Sequence, residues 1–126
     1  MKFLLDTHIL LWWMAGDRRL PRPARRAIED PANRVFVSIA SLWETAIKFS
    51  LKRVIADPEA LREAAERDGF SLLPIEARHC SAVARLPYHH SDPFDRLLVA
   101  QALVEPMRLL THDAQLARYS DTVAVV

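Results

Sequence analysis

Four acids in this chain stand at the edges of apolar segments. Asp6 ends the run KFLLD, Glu44 falls in SLWETAIK, Asp95 in HHSDPFDRLL and Asp113 in LLTHDAQL. Gathered at one place, four carboxylates repel each other unless a cation sits among them. Hard oxygen donors without Cys or a clear His spacing favour Mg²⁺ or Mn²⁺ over Zn²⁺. Such a site suits phosphate-ester hydrolysis, in which two metal ions clamp the attacking and leaving oxygens of an in-line displacement. Each acid also has a plainer reading. Asp92-Pro93-Phe94-Asp95 carries an N-cap, a proline at the first helical position and an acid three residues after the cap, which is how many helices begin. Asp6 and Asp113 could cap the helices that follow them. Ser41 and Glu44 have capping-box spacing, although the helix starts before Ser41. Capping explains these residues one at a time, so the elements that carry them must decide.

Apolar periodicity places strands at 2–6, 34–38, 70–75, 108–111 and 122–126. Helical patterns fill 7–16, a basic amphipathic stretch after Pro21 and Pro23, 39–52, 57–68, 76–86, 92–104 and 113–119. Gly16 can end the first helix. Strands alternate with helices throughout, which predicts an α/β fold with a parallel sheet covered on both faces. In such a sheet the helix N-termini lie at the carboxyl edge of the strands, where ligands bind. Asp6, Glu44, Asp95 and Asp113 all fall on that rim, and nothing in the capping argument requires it. Glu76 also starts a helix after a strand. If the third strand is an edge, Glu76 lies apart and only offers a favourable charge to its helix N-terminus.

The chain has 126 residues, 51% hydrophobic and 26% charged, which suits one globular domain over 1–126. No repeat or low-complexity stretch divides it. Asp6 and His8 interrupt the first apolar run, so MKFLLDTHILLWWMAG reads as strand and helix rather than a signal peptide. No segment is apolar for long enough to span a membrane. The single Cys80 cannot form an intramolecular disulfide and suits a reducing cytosol; its helical pattern makes it a small core residue. The net charge of +1 hides an asymmetry. If four acids gather at one site, twelve remain against seventeen Lys and Arg, leaving about five positive charges elsewhere, which suits a polyanion. Basic residues cluster at Arg18-Arg19 to Arg25-Arg26 and at Lys48, Lys52 and Arg53. As charge runs they read first as solvated faces, with the Lys48 side an alternative groove for the polyanion. Trp12, Trp13 and Trp43 lie on apolar helix faces and are assigned to core packing, or to a partner surface.

LLDTHILLW, SIASLWETAIK, HHSDPFDRLLVAQAL and LLTHDAQL, in this order across the whole chain, resemble the motifs of PIN-domain ribonucleases, and more narrowly of VapC-type toxins of type II toxin–antitoxin pairs. The resemblance implies a three-layer α/β/α sandwich around a central parallel β-sheet with the third strand at one edge. It implies an acidic site for Mg²⁺ or Mn²⁺ in which Asp6 and Asp95 are the main ligands and Asp113 completes the set. Glu44 would bind or position a second metal ion or the attacking water. Thr7 and Thr111 match positions where the family often has a small hydroxyl or amide residue beside the acids; helix and turn capping is their plainer reading. Asp92 belongs to the DPFDR form of the motif and is read as the cap of its helix, with an outer-shell role as the alternative. Arg96 is expected to pair with a site acid or with RNA phosphate. His89-His90 are left on a solvated loop, with RNA contact as the alternative, and His8 and His112 receive no role. The implied activity is a metal-dependent endoribonuclease that cuts tRNA or ribosomal RNA and inhibits translation. The implied partners are its RNA substrate, a cognate antitoxin protein and a second copy of the chain, in the cytoplasm and away from membranes.

Two other classes use acids on an α/β rim. A phosphatase with an aspartate nucleophile would need a second Asp two residues after Asp6, where this chain has His8. A non-catalytic, phospho-accepting signalling module would place its acceptor after an internal strand and carry a Lys motif late in the chain, which is not found here.

Overall fold

A computed structural model describes all 126 residues. The elements follow in the order β1 (Lys2–Leu5), α1 (Thr7–Ala15), α2 (Arg22–Glu29), β2 (Arg34–Ser38), α3 (Ile39–Ser50), α4 (Pro58–Arg67), β3 (Ser71–Leu73), α5 (Ala77–Ala84), α6 (Pro93–Val104), β4 (Arg108–Thr111), a 3₁₀ turn (Ala114–Arg118) and β5 (Val123–Val125). All strand pairs are parallel, and the sheet order is β3-β2-β1-β4-β5. The predicted α/β sandwich is therefore the observed one, with β3 at one edge.

Alternation along the strands divides the core in two. Phe3, Leu5, Val35, Val37 and Leu110 face one layer, where Ile9 and Leu10 of α1, Ala24 and Ile28 of α2 and Leu61 of α4 cover them. Leu4, Phe36 and Leu109 face the other, against Leu98, Val99 and Ala102 of α6 and Leu116 of the 3₁₀ turn. A two-residue period puts successive side chains on opposite faces, so strands as apolar as KFLL and RVFVS have to be covered on both. No helix is long and apolar enough to cross a membrane.

The chain runs β1 to β2 to β3 in one direction, then returns across the sheet to β4 on the other side of β1. The strand order reverses between β1 and β4, and a crevice opens at their carboxyl ends. Local signals set the helix starts that surround it. Asp6, Ser38, Asp57 and Asp92 each accept a backbone N–H of the first turn of α1, α3, α4 and α6. Gly16 closes α1 in the left-handed conformation, φ 60°.

Some boundaries differ from the sequence reading. β3 stops before Pro74, which has no N–H to give the ladder. The segment after Asp113 forms a 3₁₀ turn rather than an α-helix. Cys80 is exposed, not a core residue. In α5 the buried residue is the neighbouring His79, and one step along a helix turns a side chain about 100° away from it. Glu76 caps α5 behind the edge strand, with Arg78 Nη2 at 3.0 Å from its carboxylate.

A buried polar link joins the helices to the sheet. The Ser38 hydroxyl donates to Gln101 Oε1 at 2.6 Å, and Gln101 Nε2 donates to the Pro74 carbonyl at 3.2 Å. Replacing Gln101 with Leu keeps the volume and leaves these partners unsatisfied, so urea unfolding is expected to show a loss of about 1–3 kcal/mol.

Candidate metal centre

Asp6 leaves β1 at the crevice and is held from two sides. Its Oδ1 accepts the His8 N–H at 3.1 Å, and Thr111 Oγ1, at the end of β4, donates to its Oδ2. Thr111 also accepts the Asp113 N–H at 3.0 Å, so one hydroxyl ties both acids to the end of β4. Asp113 in turn accepts the Gln115 N–H at 2.9 Å. Glu44 lies in the second turn of α3, and both of its oxygens are engaged. Oε1 is 2.8 Å from Thr7 Oγ1, and Oε2 is 2.9 Å from Lys48 Nζ. Thr7 Oγ1 is also 2.9 Å from Ser41 Oγ. Its one hydroxyl hydrogen serves only one of these, and the carboxylate is the stronger acceptor. Asp95 follows the Asp92 cap, whose Oδ1 accepts the N–H groups of Phe94 and Asp95 at 2.8 and 3.1 Å.

Asp95 differs from the other three. Its carboxylate accepts no hydrogen bond, and His90 Nε2 at 3.7 Å is beyond hydrogen-bond range. Burial, then the charges of Asp6, Asp92, Glu44 and Asp113, push its carboxyl up to about 8. Burial also raises the Asp6 carboxyl, against the opposing effect of its bonds from Thr111 and the His8 N–H. His90, Asp95 and Asp113 have potential ligand atoms within 4.8 Å of one another. Asp6 and Asp113 line one open cleft with His8, Trp12 and His112. The crevice thus holds hard oxygen donors whose mutual repulsion a divalent cation would relieve, and this donor set fits Mg²⁺ or Mn²⁺.

A family model for the PIN domain matches residues 3–121. The chain belongs to the PIN domain family. Ribonuclease VapC22 of Mycobacterium tuberculosis is 35% identical over 117 residues, 90% of this chain and 88% of that protein. Among solved structures, VapBC2 from Rickettsia felis, bound to a DNA fragment from its promoter, superposes with a TM-score of 0.67 at 17% identity, covering 100% of this chain and 98% of that one. A toxin–antitoxin complex from Klebsiella pneumoniae gives a TM-score of 0.67 at 20% identity, covering 97% and 95%.

Against this PIN fold, the sequence reading needs two corrections at the site. Arg96 pairs with no site acid. Its guanidinium is buried and donates to the Pro87 and Val83 carbonyls, at 3.1 and 3.2 Å, and to the Tyr119 hydroxyl at 3.2 Å, with the Tyr88 ring stacked against it. One residue along a helix is a turn of about 100°, which takes Arg96 off the face of α6 that carries Asp95. His90 is not on a freely solvated loop. Its ring is half-buried at the rim, with Nε2 2.9 Å from Asp113 Oδ2. The Glu44–Lys48 pair was readable as an i,i+4 spacing, but the His90 contact depends on how the loop before α6 folds. Trp43 is 56% exposed and touches Phe94 edge-on rather than filling the core.

The raised carboxyl of Asp95 makes a signed pH prediction. An unfolded aspartate ionises near pH 4, roughly, whereas Asp95 in the fold holds its proton to about pH 8. Between these values the folded state binds more protons, so the stability of metal-free protein falls as pH rises. Asp95→Asn is expected to flatten that slope and to raise Tm above wild type at pH 8 in EDTA. A lower Tm for the variant would mean that Asp95 serves the fold rather than a cation.

Proposed function

We propose that this PIN domain is a Mg²⁺- or Mn²⁺-dependent endoribonuclease acting as the toxin of a toxin–antitoxin pair. The observation that carries the reading is Asp95, a carboxylate with no hydrogen-bond donor, within ligand distance of Asp113 and His90 and subject to the charges of Asp6, Asp92, Glu44 and Asp113. Asp6, Asp95 and Asp113 would hold the ion, with Glu44 positioning a second ion or the attacking water. When bound, the metal supplies an activated water and neutralises charge that develops on the phosphodiester. The chain's own groups do the rest. Thr111 and the His8 N–H fix both oxygens of Asp6, so that this ligand does not swing. Thr7 and Lys48 hold Glu44 as an oriented anion. Asp92 sets the start of α6 and thereby the place of Asp95. Lys52 and Arg53, in the turn after α3, would provide a cationic approach for an RNA backbone.

An antitoxin partner is part of the same reading, supported by the toxin–antitoxin complexes among the similar structures. Leu11, Trp12, Met14, Val54 and Ile55 line an apolar groove beside the crevice, and Ile55 is 98% exposed. A partner segment lying there would cover apolar surface and reach the acids. A homodimer, a tRNA or ribosomal RNA target, inhibition of translation and a cytoplasmic setting complete the proposal.

The test is cleavage of total tRNA and ribosomal RNA by antitoxin-free protein in Mn²⁺, Mg²⁺ or EDTA. Cleavage is expected only with metal, and Asp6→Asn is expected to lower it by at least about a hundredfold. Cleavage that survives EDTA, or equals wild type in the variant, would refute the assignment.

A further inference from the structure

Asp113 is the most exposed of the four rim acids. It caps a five-residue 3₁₀ turn, and its side chain is 36% exposed. One carboxylate oxygen accepts the Gln115 N–H. The other, Oδ2, lies 2.9 Å from Nε2 of His90. The second ring nitrogen of His90 determines what that contact is. Nδ1 is 3.1 Å from the Asp92 backbone nitrogen, whose only role in a hydrogen bond is to donate. A ring nitrogen that accepts must carry a lone pair, so Nδ1 bears no proton and the ring hydrogen is on Nε2. That hydrogen goes to Asp113.

The loop that carries His90 is braced to keep this geometry. The Tyr119 hydroxyl accepts the backbone N–H groups of His89 and His90 at 3.1 and 2.9 Å. The buried Arg96 guanidinium donates to the same hydroxyl and to two carbonyls of the preceding chain. The ring therefore has little freedom to turn, and its two nitrogens have separate, fixed partners.

We propose that His90 is a positioning residue of the metal centre, presenting a fixed Nε2–H to Asp113 and not itself binding the ion. This rests on reading the rim as a metal centre. Ligation through Nε2 would need a lone pair there while Nδ1 already uses its own, which only an imidazolate provides. The ion would then see oxygen donors alone, and His90 would hold Asp113 Oδ2 as an outer-shell partner.

The experiment uses Mn²⁺ as probe. Its affinity is measured by calorimetry for wild type, His90→Ala and His90→Gln, and pulsed EPR of the wild-type Mn²⁺ complex reports whether nitrogen is bound directly. The Gln amide restores an N–H donor at the Nε2 position. Loss of a hydrogen-bonding partner to a ligand is expected to weaken Mn²⁺ binding by about 10–100-fold in His90→Ala. His90→Gln is expected to recover most of it, and the EPR spectrum to show no directly coordinated nitrogen. Unchanged affinity in His90→Ala, no recovery with Gln, or a bound-nitrogen coupling in wild type would each overturn the proposal. Should His90→Ala fail to fold, the Gln variant and the wild-type spectrum still decide. Mn²⁺ binding that Asp95→Asn abolishes, in a protein that cuts no RNA, would sink the nuclease reading and leave this one standing.

Discussion

Carboxylates crowded at the end of a parallel sheet repel one another, and much of the chemistry at this rim answers that repulsion. Asp95 is partly buried and feels Asp6, Asp92, Glu44 and Asp113 at once. Each of its neighbours is met by donors: Thr111 and a backbone N–H for Asp6, Thr7 and Lys48 for Glu44, His90 and a backbone N–H for Asp113. Helix N-termini add partial positive charge on the same side, because helices antiparallel to the strands begin there. The site is balanced everywhere except at Asp95, which is the place a cation would occupy with most gain.

Capping and chemistry are compatible here. Asp6 and Asp113 each use one oxygen to cap the turn that follows and keep the second for the rim. A cap fixes the backbone entry angle, and so it also aims the carboxylate. At α6 the two tasks are split: Asp92 caps, and Asp95, three residues on, is left free of donors. Asking whether such acids are structural or functional sets up a false choice, since the structural bond supplies the orientation.

Support behind the rim comes from buried polar groups that hydrogen-bond one another. Arg96, Tyr119 and the carbonyls of Val83 and Pro87 shape the loop ahead of α6. Ser38, Gln101 and Pro74 tie α6 to the ends of β2 and β3. No buried side-chain nitrogen or oxygen lacks a partner. Satisfied networks of this kind resist displacement, because moving one member leaves the others unpaired in a low-dielectric interior.

Sequence alone determined the alternation of strands and helices, the helix starts, and the position of four acids at strand ends and helix beginnings. These follow from signals within a few residues: a two- or 3.6-residue period, a cap, a glycine. The Glu44–Lys48 pair was within the same range. Tertiary structure decided which strands lie side by side, and therefore that the crevice opens between β1 and β4 rather than elsewhere along the rim. It joined Thr111 to Asp6 across 105 residues and His90 to Asp113 across 23. It also turned Arg96 inward and Cys80 outward, against expectation. Contacts like these depend on the packing of distant segments and on which face of a helix meets a neighbour. Neither leaves a periodic mark in the chain.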